Sequence, residues 1–117
     1  MPSSDFSHLS ELLEAAQNIR SFVREAKRDS FVFDLVRRRA VSGQMIRMAG
    51  LVKLISSEFK DKHPDIPWKN IIDIGDYLVR APDRADPDIM WNHARKFVPE
   101  LILKISALTR SAEKILS

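Results

Sequence analysis

Residues 63–79 read His63-Pro64-Asp65-Ile66-Pro67-Trp68-Lys69-Asn70-Ile71-Ile72-Asp73-Ile74-Gly75-Asp76-Tyr77-Leu78-Val79, and their two halves obey different rules. Pro64 and Pro67 each lack a backbone N–H and push the preceding residue out of helical geometry, so His63 to Trp68 is a rigid connector. Ile66 and Trp68 are the residues expected to plug a core from it. From Pro67 or Trp68 onward Ile71, Ile72, Gly75, Leu78 and Val79 recur at three- and four-residue steps, which predicts a helix stopping at Ala81, ahead of Pro82.

Working upstream, Val41, Met45, Met48, Ala49, Val52, Ile55 and Phe59 keep the same step and predict a long helix ending before His63. Gly43 and Gly50 lie seven residues apart inside it, each costing about 1 kcal/mol relative to Ala. They either admit a close helix neighbour or are simply tolerated. Phe31 to Val36 fits a turn or two of helix. Leu9, Leu12, Leu13, Ala16, Ile19, Val23 and Ala26 predict a first helix from about Ser7 to Lys27, with Ser4 or Ser7 as its cap.

Downstream, Pro82 to Asp86 is a loop, and Asp86-Pro87-Asp88 combines an N-cap, a first-turn proline and a first-turn acid. The last helix carries Met90, Ala94, Phe97, Leu101, Ile105, Leu108, Ala112 and Ile115, with Pro99 expected to kink or divide it. No segment alternates as a strand does. The expected fold is all-α, an antiparallel bundle of four main helices plus a short one, forming a single domain over residues 1–117.

The composition suits such a bundle: 117 residues, 44% hydrophobic, 30% charged and no cysteine. That balance excludes a disordered or low-complexity polymer, and the absent thiols exclude cysteine nucleophiles, Cys-based zinc sites and redox switching. No basic segment followed by an apolar run opens the chain, and Phe97 to Leu108 is broken by Pro99, Glu100 and Lys104. The expectation is therefore a cytoplasmic protein that does not enter membranes.

Charge is unevenly placed. Residues 1–19 hold Asp5, Glu11 and Glu14 with no Lys or Arg. Residues 20–53 hold Arg20, Arg24, Lys27, Arg28, Arg37, Arg38, Arg39, Arg47 and Lys53 against Glu25, Asp29 and Asp34. Such a segment either approaches phosphate backbones or is a solvated set of helix faces. The run Arg37-Arg38-Arg39 is its densest part.

Chemical motifs are scarce. His8, His63 and His93 form no pair at ligand spacing, so neither a metal nor a cofactor is expected. The isolated glycines make no phosphate loop, and Ser42 and Ser106 lack any sign of activation. Asp73, Asp76 and Asp83, with His93, are candidates for acid/base groups around the loop after the third long helix, or else a solvated rim. His93 reads more simply as a partly exposed surface residue.

The stretch from His63 to Ile74, followed by Asp86-Pro-Asp-Ile-Met-Trp91 and Phe97-Val-Pro-Glu-Leu101, closely resembles the HepT-like branch of the HEPN superfamily. The likeness is sharp over residues 59–101 and rests elsewhere on helix order and length. It implies an all-α bundle that forms a homodimer, and in many members a metal-independent ribonuclease toxin paired with a nucleotidyltransferase-type antitoxin. The active-site motif of that family, Arg-Asn-x-x-x-His-x-Tyr, falls here on Gly75, Asp76, Arg80 and Pro82, so every signature position differs.

RNA cleavage without a metal wants a base of near-neutral pKa and a cation for the phosphorane charge. Arginine, with a pKa above about 12, cannot be that base. Arg80, with Arg84, can hold a phosphate, and the resemblance then implies a protein that binds a nucleotidyltransferase-type partner or RNA without cutting. The alternative is an active ribonuclease in which Asp76 or His93 is a substitute base and Arg80 the phosphate clamp.

Overall fold

The computed structural model describes residues 3–116, with side chains from 4 to 114, and those residues are helices joined by short turns, with no strand among them. The order is α1 (Ser3–Val23), α2 (Arg28–Phe33), α3 (Leu35–Leu54), α4 (Ser57–Lys62), α5 (Trp68–Arg80), α6 (Pro87–Asn92), a π-helical segment (His93–Phe97) and α7 (Val98–Leu116). Contacts between α1 and α3 run Asp5 to Ser56, Glu14 to Arg47 and Asn18 to Gln44, so one chain number rises as the other falls and the helices are antiparallel. α3 and α5 are antiparallel by the same test, Ala49 lying beside Gly75 and Arg39 reaching Asp83.

The core follows the helical step. Leu9, Leu12, Ala16, Ile19 and Val23 of α1 are buried against Val41, Met45, Met48 and Val52 of α3, Ile71 and Leu78 of α5, and Met90, Ala94, Leu101 and Ile105 of the last helical stretch. Ala15, Val98 and Ile102 join them. Val79, expected on the core-facing step of α5, does not: it is 59% exposed, because it lies past the arc of its helix that faces a neighbour. The side chain of Ile115 lies outside the described residues.

Helix boundaries depart from the sequence reading for identifiable reasons. α1 is already helical at Ser4 and Ser7, so neither caps it, and it ends at Val23, where the Arg24 and Ala26 amides turn back to the Ser21 and Val23 carbonyls. The expected single helix from Val41 to Phe59 is two. Ile55 is extended at φ −75°, ψ 137°, and Ser56 caps α4 by accepting from the Phe59 amide. Asp5, buried at 2% exposure, fixes this break by accepting from the Ser56 amide at 2.9 Å and the Ser56 hydroxyl at 2.6 Å.

The connector plugs the core as its prolines predict. Ile66 is buried, and the Trp68 indole donates to the carbonyls of Lys60 and His63 at the end of α4, adding to the backbone bonds they accept from the His63 and Ile66 amides. Asp86 caps α6 by accepting from the Asp88 amide at 2.8 Å, with Pro87 in the first turn. Pro99 divides the last helix through what precedes it. Its missing N–H removes one α-type bond, and the Val98 amide instead reaches back five residues to the His93 carbonyl, giving the π turn.

Candidate functional site

The four signature positions lie along the second half of α5 and the turn after it. Gly75 is buried on the face toward α3. A Cβ at Gly75 would stand 2.3 Å from the Ala49 Cβ and 3.1 Å from the Met45 carbonyl oxygen. Both neighbours are rigid, so no side chain, and least of all an arginine, fits there without moving α3. Gly43 and Gly50, by contrast, have nothing within 4 Å of a built Cβ. The close helix approach is thus made at the glycine of α5 rather than at those of α3.

Asp76 is neutralised by the Lys53 ammonium at 2.8 Å. Arg80 is exposed in the last turn of α5, where a cation meets the negative end of the helix dipole. Pro82 is exposed in the following turn, and Arg84 is exposed beyond it. Neither Arg80 nor Arg84 has an ion-pair partner among the described residues, whereas Asp83 between them receives both guanidinium nitrogens of Arg39, at 3.2 and 3.0 Å. That hydrogen bond, with the charge behind it, holds the Asp83 carboxyl below its ordinary range and raises Arg39. The end of α5 therefore presents two unpaired cations beside two neutralised acids.

Arg37, Arg38 and Arg39 do not form one basic patch. Successive helical residues point about 100° apart, and each arginine finds its own acceptor. Arg37 pairs with Asp34 at 3.4 Å, Arg38 donates to the Val32 carbonyl, and Arg39 reaches Asp83. Arg47 meets Glu14 and Glu11, Arg28 meets Asp88 and Asp29, and Lys53 meets Asp76. Most of the positive charge in residues 20–53 is thereby consumed inside the molecule.

His93 lies elsewhere. It lines a shallow groove of about 350 Å³ with Asn70, Asp73, Ile74, Tyr77, Ile89 and Phe97. Its ring stacks on Phe97 with centroids 4.3 Å apart, and its Nε2 is buried with no hydrogen-bond partner among the described residues. Burial depresses its pKa to about 4. Asp73 in the same groove is bound to Lys69 at 2.6 Å. Asp76 faces Lys53 on another flank of α5, so the structure does not bring Asp76 and His93 together as an acid/base pair.

Three neighbours of the site escaped the sequence reading. Ala49 closes position 75, Lys53 neutralises Asp76, and Tyr77 accepts the Asp86 amide at 2.8 Å, tying α5 to the start of α6. Only Tyr77, the sole tyrosine of the chain, carried a signal, its place on the α5 helical step toward the loop. Among the described residues no group of three or more His, Asp or Glu is placed to hold a metal ion, and no helix is long and apolar enough to cross a membrane.

A model of the ribonuclease HepT-like family matches residues 12–108. The chain is similar to a probable ribonuclease HepT of Thermococcus cleftensis, 28% identical over 94% of this chain and 100% of that protein. It is also similar to a putative RNase of Methanocaldococcus jannaschii, 26% identical over 97% of this chain and 94% of that one. A γ-glutamylcyclotransferase and putative RNase of the same organism is 28% identical over 84% of this chain, which spans 46% of that longer protein. No solved structure matches the chain. With the match covering residues 12–108, most of the bundle, the chain belongs to the ribonuclease HepT-like family.

Proposed function

We propose that this chain is a HepT-like protein that has lost metal-independent RNA cleavage and acts by binding, as a single cytoplasmic domain in a system of toxin–antitoxin type. The observation that carries the reading is Gly75. The arginine position of the signature is closed by Ala49 rather than merely refilled, since a Cβ there would meet the Ala49 Cβ at 2.3 Å. The remaining positions offer no free base: Asp76 is engaged by Lys53, position 80 holds a guanidinium, which has no acceptor, and Pro82 has no titratable group. A nucleotidyltransferase-type protein is the partner the family implies.

Homodimerisation belongs to the same reading. α3 leaves a stripe of Val36, Gly43, Ile46, Gly50 and Leu54 along its outer side, stepping by three, four and seven residues, with Leu54 63% exposed. Open space over the two glycines suits close packing of a second copy's helix.

RNA is a second ligand, favoured by the unpaired Arg80 and Arg84. The test is to titrate end-labelled single-stranded RNA at rising salt, with Arg80→Ala and Arg84→Ala beside the parent. Retention that weakens steeply with salt and drops in both variants is expected. Equal retention by all three proteins would remove Arg80 and Arg84 as RNA contacts, and no retention by any of them would leave the protein partner.

A further inference from the structure

The basic residues of positions 20–53 divide into those paired with acids and those that are not, and two of the second group, Arg20 and Arg24, share a cleft with a third arginine. Arg20 and Arg24 at the end of α1 have no ion-pair partner among the described residues. Arg95, from the π-helical segment, comes to the same place. Its Nη1 donates to the Val23 carbonyl at 3.4 Å, and its guanidinium carbon sits 5.3 Å from the centre of the Trp91 ring. The three arginines, with Val23, Ala94 and Pro99, line a cleft of about 440 Å³ in which no carboxylate takes part.

Two features make this arrangement more than an exposed charge. Arg20, in the last turn of α1, and Arg24, in the turn just after it, bring two like charges to one cleft, and Arg95 adds a third. Four other arginines, Arg28, Arg37, Arg39 and Arg47, each meet a carboxylate. Arg95 is also held in place. The π turn sets its direction, the Trp91 face supports its guanidinium, and the α1 carbonyl fixes one edge. One donor fork is positioned by the fold, with two more across the cleft.

We propose that this cleft is a binding site for a phosphate-type oxyanion, held by Arg20, Arg24 and Arg95. Guanidinium forks match tetrahedral oxyanions in charge and in donor geometry. The anion is either the backbone phosphate of a single-stranded RNA or the phosphate of a small phosphorylated ligand. The site shares no residue with the signature positions Gly75, Asp76, Arg80 and Pro82, and stands whether or not the chain cuts RNA.

Trp91 beneath Arg95 supplies the readout. Its emission is followed while inorganic pyrophosphate, a nucleoside monophosphate or a twelve-residue single-stranded RNA is added to the full chain. Arg20→Gln/Arg24→Gln is compared with Arg110→Gln, an exposed arginine outside the cleft. The emission is expected to change on titration, with affinity at least about tenfold weaker in the double variant and unchanged in Arg110→Gln. Binding of the RNA alone assigns the site to backbone phosphate, and its salt slope should fall by about one to two in the double variant. Binding of pyrophosphate or the monophosphate assigns it to a small phosphorylated ligand. The proposal is overturned if none of the three probes binds, if the double variant binds as the parent does, or if Arg110→Gln loses affinity equally. Arg20→Lys/Arg24→Lys, which keeps the charge and removes the fork, should recover only part of the loss.

Discussion

Gly75 in α5 and Gly43 and Gly50 in α3 are the same residue at three helix-interior positions, and their surroundings give them opposite values. Alanine at 43 or 50 meets nothing and gains helix propensity, so Gly43→Ala and Gly50→Ala should each stabilise by about 0.5–1 kcal/mol. Alanine at 75 must push α3 away, and Gly75→Ala should destabilise by about 1–3 kcal/mol despite its better propensity. Urea unfolding of the three variants checks this, and a Gly75→Ala protein as stable as the parent would contradict the closed position. The sequence reading saw that Gly75 replaces an arginine but not that the space is gone, because Ala49 lies 26 residues away and periodicity does not pair faces. His93 behaves similarly. Its sequence neighbours Arg95 and Lys96 suggest surface, yet stacking on Phe97 seals its Nε2. Folded His93 refuses a proton down to about pH 4, while the unfolded chain accepts one near the ordinary value of 6.5. Stability should therefore fall by about 2–3 kcal/mol as pH drops from 6.5 toward 4, and be retained above 6.5. The drop should be smaller in His93→Gln; an identical pH profile would show that His93 is not buried neutral.

Elements were more legible than residues. The five helix-forming stretches, the proline connector and the Asp86-Pro87 start all exist near where local rules put them, because they depend on neighbours within four residues, but their ends shift: the short helix expected from Phe31 to Val36 is Arg28–Phe33, and Leu35 already opens α3. What local rules missed was the break at Ile55–Ser56, since the apolar step runs unbroken through it to Phe59. The break is decided by Asp5, 51 residues earlier, whose carboxylate takes both donors of Ser56. Asp5→Ala leaves those buried donors without their acceptor and should cost about 2–4 kcal/mol, on the scale of two charge-assisted hydrogen bonds. Hydrogen exchange should then show the α3–α4 junction opening before the middle of α3, and uniform protection across both helices would argue against this role. The π segment was half legible: Pro99 announces a disturbance, but its position before the proline and its gift of a fixed Arg95 depend on how α6 and α7 pack on α1.

At the scale of the whole molecule, pairing of charge decides what is left to act. The basic segment read either as a phosphate-facing surface or as solvated helix faces, and the fold pairs most of it with acids at the surface, leaving arginines without carboxylate partners at the α5 end and at the α1 cleft. The long-range pairs that do this, Arg39 with Asp83 and Lys53 with Asp76, join residues 44 and 23 positions apart and leave no local trace. The outer stripe of α3 gives a separate expectation. Val36→Asp/Leu54→Asp, both exposed positions, should leave the fold intact and turn a dimer into a monomer in sedimentation velocity. A parent chain that is monomeric at all concentrations would contradict the dimer. The central claim is that this bundle binds without cutting, and the most direct measurement is a single-turnover cleavage assay. End-labelled single-stranded RNA and tRNA are held with a large excess of protein, with and without EDTA, beside Arg80→Ala. The account predicts full-length RNA throughout, in both proteins. Products that appear with the parent, persist in EDTA and vanish in Arg80→Ala would contradict it and make the chain a ribonuclease with a rebuilt site.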